Sequence, residues 1–229
     1  MPAPTADIRP AAEAPADPSP ADPSPDCALC PRLVAFRDAN RKAYPDFFNA
    51  PVPSFGPTDA RLLIVGLAPG LRGANRTGRP FTGDYAGDLL YATLVGHGFA
   101  RGCYDKRPDD GLELVDCRIT NAVRCVPPEN KPVGAEVSGC RPFLVRTMEQ
   151  MPSLRTILVL GSVAHGATLA ALGLRKSAYR FGHGAVHPLP DGRTLVGSYH
   201  CSRYNTNTGK LTTAMFDAVF ATVRQVIDR

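Results

Sequence analysis

Residues 61–69, RLLIVGLAP, decide the fold of this chain. A run of branched apolar residues that ends in Gly66 and Pro69 reads as a short buried strand entering a loop. The same form recurs in DCRITNAVRC (116–125), RTILVLG (155–161) and TLVGSYH (194–200). Between these runs, helices are predicted over 84–98, 135–150 and 162–172, and the amphipathic stretch 211–229 predicts a closing helix. Strands separated by helices of this length make an α/β fold with a mostly parallel, four-stranded sheet covered on both faces. In such sheets ligands bind beyond the carboxyl ends of the strands. The loops after the first and fourth strands are therefore where chemistry is expected.

Outward from this frame, 229 residues suffice for one sizeable domain. Residues 1–26 are mostly Pro and Ala with scattered acids. They bury too little apolar surface to offset their ordering entropy, so a disordered tail is expected there. The folded domain is expected over 27–229, opening with a helix in CALCPRLVAFRDANRKAY and a loop in PDFFNAPVPSFGP. The tail carries Asp7, Glu13, Asp17, Asp22 and Asp26 against Arg9, a charge of −4, so a chain of net charge +5 leaves +9 on the rest. That excess suits a polyanionic partner. No apolar run reaches membrane-spanning length and no signal-peptide pattern opens the chain, so a cytoplasmic, membrane-free protein is expected, acting as a monomer.

Seven cysteines in a reducing compartment read as ligands, reactive groups or buried residues rather than disulfides. Cys27 and Cys30 form a CxxC pair, while Cys125 and Cys140 flank the Pro-rich loop VPPENKPVGAEVSG. Four thiolates hold zinc or a [4Fe–4S] cluster, and the wide, loop-enclosing second pair fits the bulkier cluster better. A redox CxxC or unrelated buried cysteines are the alternatives. Cys117 begins a strand and reads as core; Cys103 receives no role.

GLAPGLRGANRTGRPFTGD (66–84) follows the first strand, and its glycines allow close backbone approach to a substrate. It is neither a dinucleotide fingerprint, since the glycine spacing is wrong, nor a P-loop, since no Gly-Lys-Ser/Thr ends it. HCSRYNTNTG (200–209) follows the fourth strand, where a His beside a polar loop could bind a base edge or a phosphate.

These motifs, with RITNAVRCVPPENKP (118–132), the later Cys140, FGHG (181–184) and GSYHCSRYNTNTGKLT (197–212), resemble the family 5 (type b) uracil-DNA glycosylases over nearly all of 27–229. The resemblance implies a three-layer α/β/α sandwich that flips the target nucleotide into a pocket above the sheet. Gly66 and Ala68 go with the substrate-binding residues. Phe81 matches the aromatic residue on which the extruded base stacks, and Asn121 a pocket amide able to pair with an imide edge. Other families of the superfamily place an acidic or amide residue where this chain has an apolar one, around Ala68. The type b pattern points instead to Asp84, which would orient water or stabilise positive charge on the sugar; an Asp there also suits a helix N-cap. His200 would donate to the leaving base as an oxyanion-hole group does. Arg203, Tyr204 and Asn205 match the segment that wedges into the duplex, although Cys201 stands where Pro usually follows the histidine.

No Lys lies in either loop, so base removal without strand cleavage is expected. The resemblance implies DNA containing uracil, and other deaminated or alkylated bases such as hypoxanthine, as the substrate class. A lesion-binding module without activity and a zinc-dependent nucleic-acid hydrolase are the competing classes.

Overall fold

The computed structural model describes residues 21–229. Four strands run parallel: β1 (Leu62–Gly66), β4 (Cys117–Asn121), β5 (Thr156–Leu160) and β7 (Thr194–Ser198). A fifth, β6 (Val186–Pro188), pairs antiparallel with β7, so the sheet has the order β4-β1-β5-β7-β6. The expected four strands are therefore joined by one short edge strand. A separate two-stranded hairpin pairs β2 (Ala100–Arg101) with β3 (Glu113–Leu114).

Alternation along the strands builds two cores. Leu62, Ile64, Ile119, Leu158 and Val196 face α3 (Tyr85–Gly96) and α7 (Thr213–Ile227), packing on Leu90, Leu94, Phe216 and Phe220. Leu63, Val65, Ile157, Val159 and Leu195 face α4 (Gly134–Glu149) and α5 (Ser162–Ala171), packing on Leu144, Met148, Ala164 and Leu169. Three layers follow from that division. Along α7, Phe216, Val219, Phe220, Val223 and Ile227 are buried at helical spacing, behind a Thr212 cap that accepts from the Met215 N–H at 3.1 Å. Each such side chain contributes roughly 1.5–3 kcal/mol of burial.

Helix α1 (Pro31–Ala43) lies outside α4 and is held by Leu33 and by Arg32, whose Nε donates to Glu136 Oε1 at 2.7 Å. The tail expected over 1–26 ends earlier than its composition indicates. Ala21 is buried, and Asp22 accepts from the buried Arg124 Nη1 at 2.6 Å and from the Ser54 N–H at 3.0 Å. Residues 1–20 lie outside the described residues. Among the described residues no helix is long and apolar enough to cross a membrane.

The topology opens the site. Strand β1 connects one way along the sheet, to β4, while its other neighbour β5 connects the opposite way, to β7. The loops leaving these adjacent strands diverge, and a crevice forms where they part.

Candidate active site

Around that crevice the chain assembles side chains from three strand ends. A cavity of about 40 Å³ is lined by Ala68, Pro69, Gly70, Ala74, Phe81, Asp84, Ala86, Asn121 and His200. An outer cleft of about 500 Å³ shares Ala68, Gly70, Asp84, Ala86 and His200 and adds Asn130, Ser202 and Arg203.

Gly66 and Asn121 are register partners at the ends of β1 and β4. A Cβ on Gly66 would collide with Asn121 Oδ1 and lie 2.6 Å from Phe81 Cζ. Glycine is therefore required there for the amide and the ring to meet. Phe81 is 7% exposed and its backbone is left-handed, with φ of 54°. That conformation costs a residue with a Cβ roughly 1–2 kcal/mol. Its ring stacks against His200, with centroids 5.8 Å apart and planes 28° from parallel.

Asp84 is the N-cap of α3, accepting from the Ala86 N–H at 3.2 Å through Oδ1. The cap reading from sequence is borne out. Its second oxygen sits over the glycine loop: a Cβ on Gly73 would collide with Oδ2, and one on Gly70 would lie 3.1 Å from it. Burial raises the carboxyl above its ordinary value, opposed by the Gly87 and Ala86 N–H groups. Burial also pushes the His200 imidazole down to about 4, so the ring is neutral near pH 7. Among the described residues neither Asn121 nor His200 has a hydrogen bond to its side chain. Both face the cavity uncommitted.

The loop expected over 200–209 contains a short helix, α6 (Arg203–Asn207), capped by Ser202. Arg203 lines the outer cleft with its guanidinium 5.5 Å from the Tyr85 ring, and Tyr204 is 74% exposed. Asn205, expected beside them as a DNA contact, turns inward, and its Nδ2 donates to the His200 carbonyl at 2.8 Å. Its amide is committed to holding the loop. Cys201, at the position where Pro was expected, is fully buried and its Sγ donates to the Ala86 carbonyl at 3.4 Å.

Cys27, Cys30, Cys125 and Cys140 line one separate cavity with Leu33, Val34, Val123 and Phe143. The Arg124 N–H donates to Cys140 Sγ at 3.3 Å. Burial pushes the Cys125 thiol up to about 12 and Cys140 up to about 11. Among the described residues no three His, Cys, Asp or Glu side chains are grouped so as to hold a single metal ion. Cys117 is core, as expected, and Cys103 is exposed.

Sequence reasoning missed Asn130, which lines the outer cleft and sits in a Pro-rich stretch with no periodic signal.

A family model of the uracil DNA glycosylase superfamily matches residues 53–224. The chain is 47% identical over 195 residues to a type-5 uracil-DNA glycosylase of Thermus thermophilus, covering 83% of this chain and 89% of that protein. It is 42% identical over 210 residues to a type-5 uracil-DNA glycosylase of Mycobacterium leprae, covering 87% and 91%. To a type-4 uracil-DNA glycosylase of Pyrobaculum aerophilum it is 35% identical over 125 residues, 54% of this chain and 56% of that one.

Proposed function

Because the chain belongs to the uracil DNA glycosylase superfamily, in its type-5 group, we propose that it excises uracil, and other deaminated bases such as hypoxanthine, from DNA as the first step of base excision repair. The observation that carries this reading is the convergence of Phe81, Asp84, Asn121 and His200 on one cavity beyond the sheet. A base extruded from the duplex costs a few kcal/mol in lost pairing and stacking. Stacking on Phe81 returns roughly 1–3 kcal/mol, and the uncommitted Asn121 amide supplies a donor and an acceptor for an imide edge.

Hydrolysis breaks the bond between C1′ and the base nitrogen and forms a new one from water oxygen to C1′. Negative charge leaves with the base, where the neutral His200 ring donates a hydrogen bond as it develops. Positive charge builds on the sugar; the Asp84 carboxylate either accepts the proton of the attacking water or faces that charge while the proton passes to the departing base anion. Neither the cavity nor the outer cleft is lined by a lysine, which supports hydrolysis without a Schiff base or strand cleavage. Ala68, Ala74 and Ala86 leave the wall short of polar groups specific to uracil, which supports the wider lesion range. The excess positive charge outside the first 26 residues, Arg203 in the outer cleft and the exposed Tyr204 next to it in sequence support DNA as the partner.

The four cysteines suit a [4Fe–4S] cluster. They ring one apolar cavity, and a cluster spreads its ligands over separate iron atoms, whereas zinc needs all its sulfurs within about 2.3 Å of one point. The Arg124 N–H directed at Cys140 is a hydrogen bond of the kind that tunes such sulfurs. When bound, the cluster would tie α1, the 126–139 loop and α4 together and supply no step of the base chemistry.

The test is release of free base by the purified protein from duplexes carrying uracil, hypoxanthine, ethenocytosine or thymine opposite each normal base. Uracil release is expected; binding to uracil-DNA with no product over hours would turn the reading toward a lesion-binding module.

A further inference from the structure

The stretch between α3 and β4 received no role from sequence, yet it lies directly behind Phe81. Strands β2 and β3 pair and throw out residues 102–112 as a loop. That loop is organised by Asp110, which accepts from the N–H groups of Asp105 at 2.9 Å and Leu112 at 3.1 Å. Asp110 also takes a two-pronged bond from Arg79, at 2.8 and 2.7 Å, with both side chains almost wholly buried. The Arg79 guanidinium lies 5.2, 5.5 and 5.9 Å from the rings of Phe55, Tyr91 and Tyr104. The two tyrosine rings are themselves 4.6 Å apart.

Both hydroxyls of that pair reach the backbone around the strained residue. Tyr91 donates to the Pro80 carbonyl at 2.6 Å. Tyr104 donates to the Phe81 carbonyl at 3.2 Å and lies 3.4 Å from the Gly83 N–H, which donates to it. Space on the far side is closed, since a Cβ on Gly87 would collide with the Phe81 carbonyl oxygen and the Tyr104 hydroxyl. A left-handed non-glycine residue persists only where its surroundings over-determine it. Here the surroundings are two tyrosine hydroxyls and a glycine on α3.

We propose that Tyr104 is a positioning residue for the reaction: its hydroxyl fixes the Phe81 peptide in the left-handed conformation that turns the ring toward His200 and the base. The inference rests on the reading of Phe81 as the stacking surface for the extruded base. Burial, which pushes the Tyr104 hydroxyl up to about 12, keeps it a neutral donor at working pH. Residues 102–112 are then a clamp on the base-binding loop, delivered by the hairpin and anchored through the Arg79–Asp110 pair.

The experiment is a double-mutant cycle of Y104F with F81L, read by single-turnover uracil release at saturating protein. The fluorescence of 2-aminopurine placed beside the uracil reports extrusion, and affinity for abasic DNA is measured in parallel. Y104F retains the ring and its contacts. It is expected to slow release roughly tenfold, the equivalent of one lost hydrogen bond, to reduce the fluorescence rise, and to leave abasic-DNA affinity unchanged. In the F81L background the same change should alter the rate by less than about twofold, because the residue it positions is already gone. G87A, whose Cβ would strike both the Phe81 carbonyl and the Tyr104 hydroxyl and so part the two, should imitate Y104F. An active wild type with Y104F at full rate, or with an undiminished loss in the F81L background, overturns the positioning role. A wild type that releases no uracil overturns instead the activity on which it rests.

Discussion

The base pocket and the cysteine cavity are built from the same stretch of chain and differ in kind. Asn121 ends β4 and faces the pocket; Cys125, four residues later, lines the other cavity. Between them the backbone is tied to the first loop, with the N–H of Ala122 donating to the Gly66 carbonyl at 2.9 Å and that of Val123 to Leu67 at 3.0 Å. In the pocket, polar side chains are left without partners and the backbone at Phe81 is strained. Around the cysteines the walls are apolar; Arg32 pairs with Glu136 and Arg124 with Asp22, while the Nε atoms of Arg37 and Arg124 are buried without a hydrogen-bond partner among the described residues. The unpartnered Asn121 and His200 side chains face an open cavity where a ligand can meet them, whereas the unpartnered arginine atoms near the cysteines are enclosed by protein. The cysteine region thus braces the back of the pocket without sharing its chemistry.

The largest effect that could break this division comes from the bracing side. Cys125→Ser is expected to abolish iron and acid-labile sulfide and to lower Tm by more than about 10 °C, because binding energy at a structural metal site is folding energy. Cys103→Ser, outside the cavity, should change neither. Retained stability with the sulfide gone would mean that the cysteines brace nothing. On the reacting side, His200→Ala should cost roughly 100-fold or more in the rate of uracil release, as loss of one oxyanion-type donor does. Its melting temperature and iron content should stay at wild-type values. If iron content falls with activity in that variant, the two regions are one.

A smaller effect sharpens the boundary at the chain's beginning. Asp22 is the carboxylate partner of Arg124, which is buried between the cysteine cavity and the loop around Val52. Asp22→Asn should cost about 2 kcal/mol, the usual worth of a hydrogen bond to a charged group. That corresponds to a fall of roughly 4–8 °C in Tm for a chain this size. Uracil release measured well below the melting transition should be unaffected.

The strands and both catalytic loops were legible because burial on two faces leaves unbroken apolar runs that end abruptly in Gly and polar residues. Those runs marked only the loops; Gly66, Ala68, Phe81, Asp84, Asn121 and His200 were picked out within them by the resemblance to the uracil-DNA glycosylase motifs. Other parts left no trace. Strand β6 has three residues, exposed at Val186 and Pro188, so neither length nor alternation marks it. Helix α6 forms in RYNTN, a poor helix sequence, through the Ser202 cap and the bond from Asn205 to His200. Asp22 reads as one more acid in a Pro-rich tail, because its partner is 102 residues away. Tyr104 sits in an irregular, highly charged stretch, and its importance lies in one hydroxyl meeting a carbonyl 23 residues earlier. Local patterns encode elements; long-range polar contacts between irregular segments do not repeat and so cannot be read.

The mildest change is one of pH, and it tests whether Asp84 is more than a cap. Burial raises its carboxyl, so the protonated form persists to higher pH than for an ordinary Asp near 3.9. If the carboxylate is the working form, single-turnover uracil release falls as pH is lowered, with an inflection above that ordinary value. Burial holds His200 down to about 4, so the inflection is assigned to Asp84 by its persistence in His200→Ala. The rate of Asp84→Asn, reduced roughly 100-fold by loss of the charged group, should then be flat across the same interval. Asp22→Asn, lying on the bracing side, should keep the wild-type profile at temperatures where it is folded. An asparagine caps a helix nearly as well as an aspartate, so the stability of Asp84→Asn should remain close to wild type. If its rate and pH profile also stay those of wild type, Asp84 belongs with the bracing groups, and the division between the two regions runs through the first loop itself.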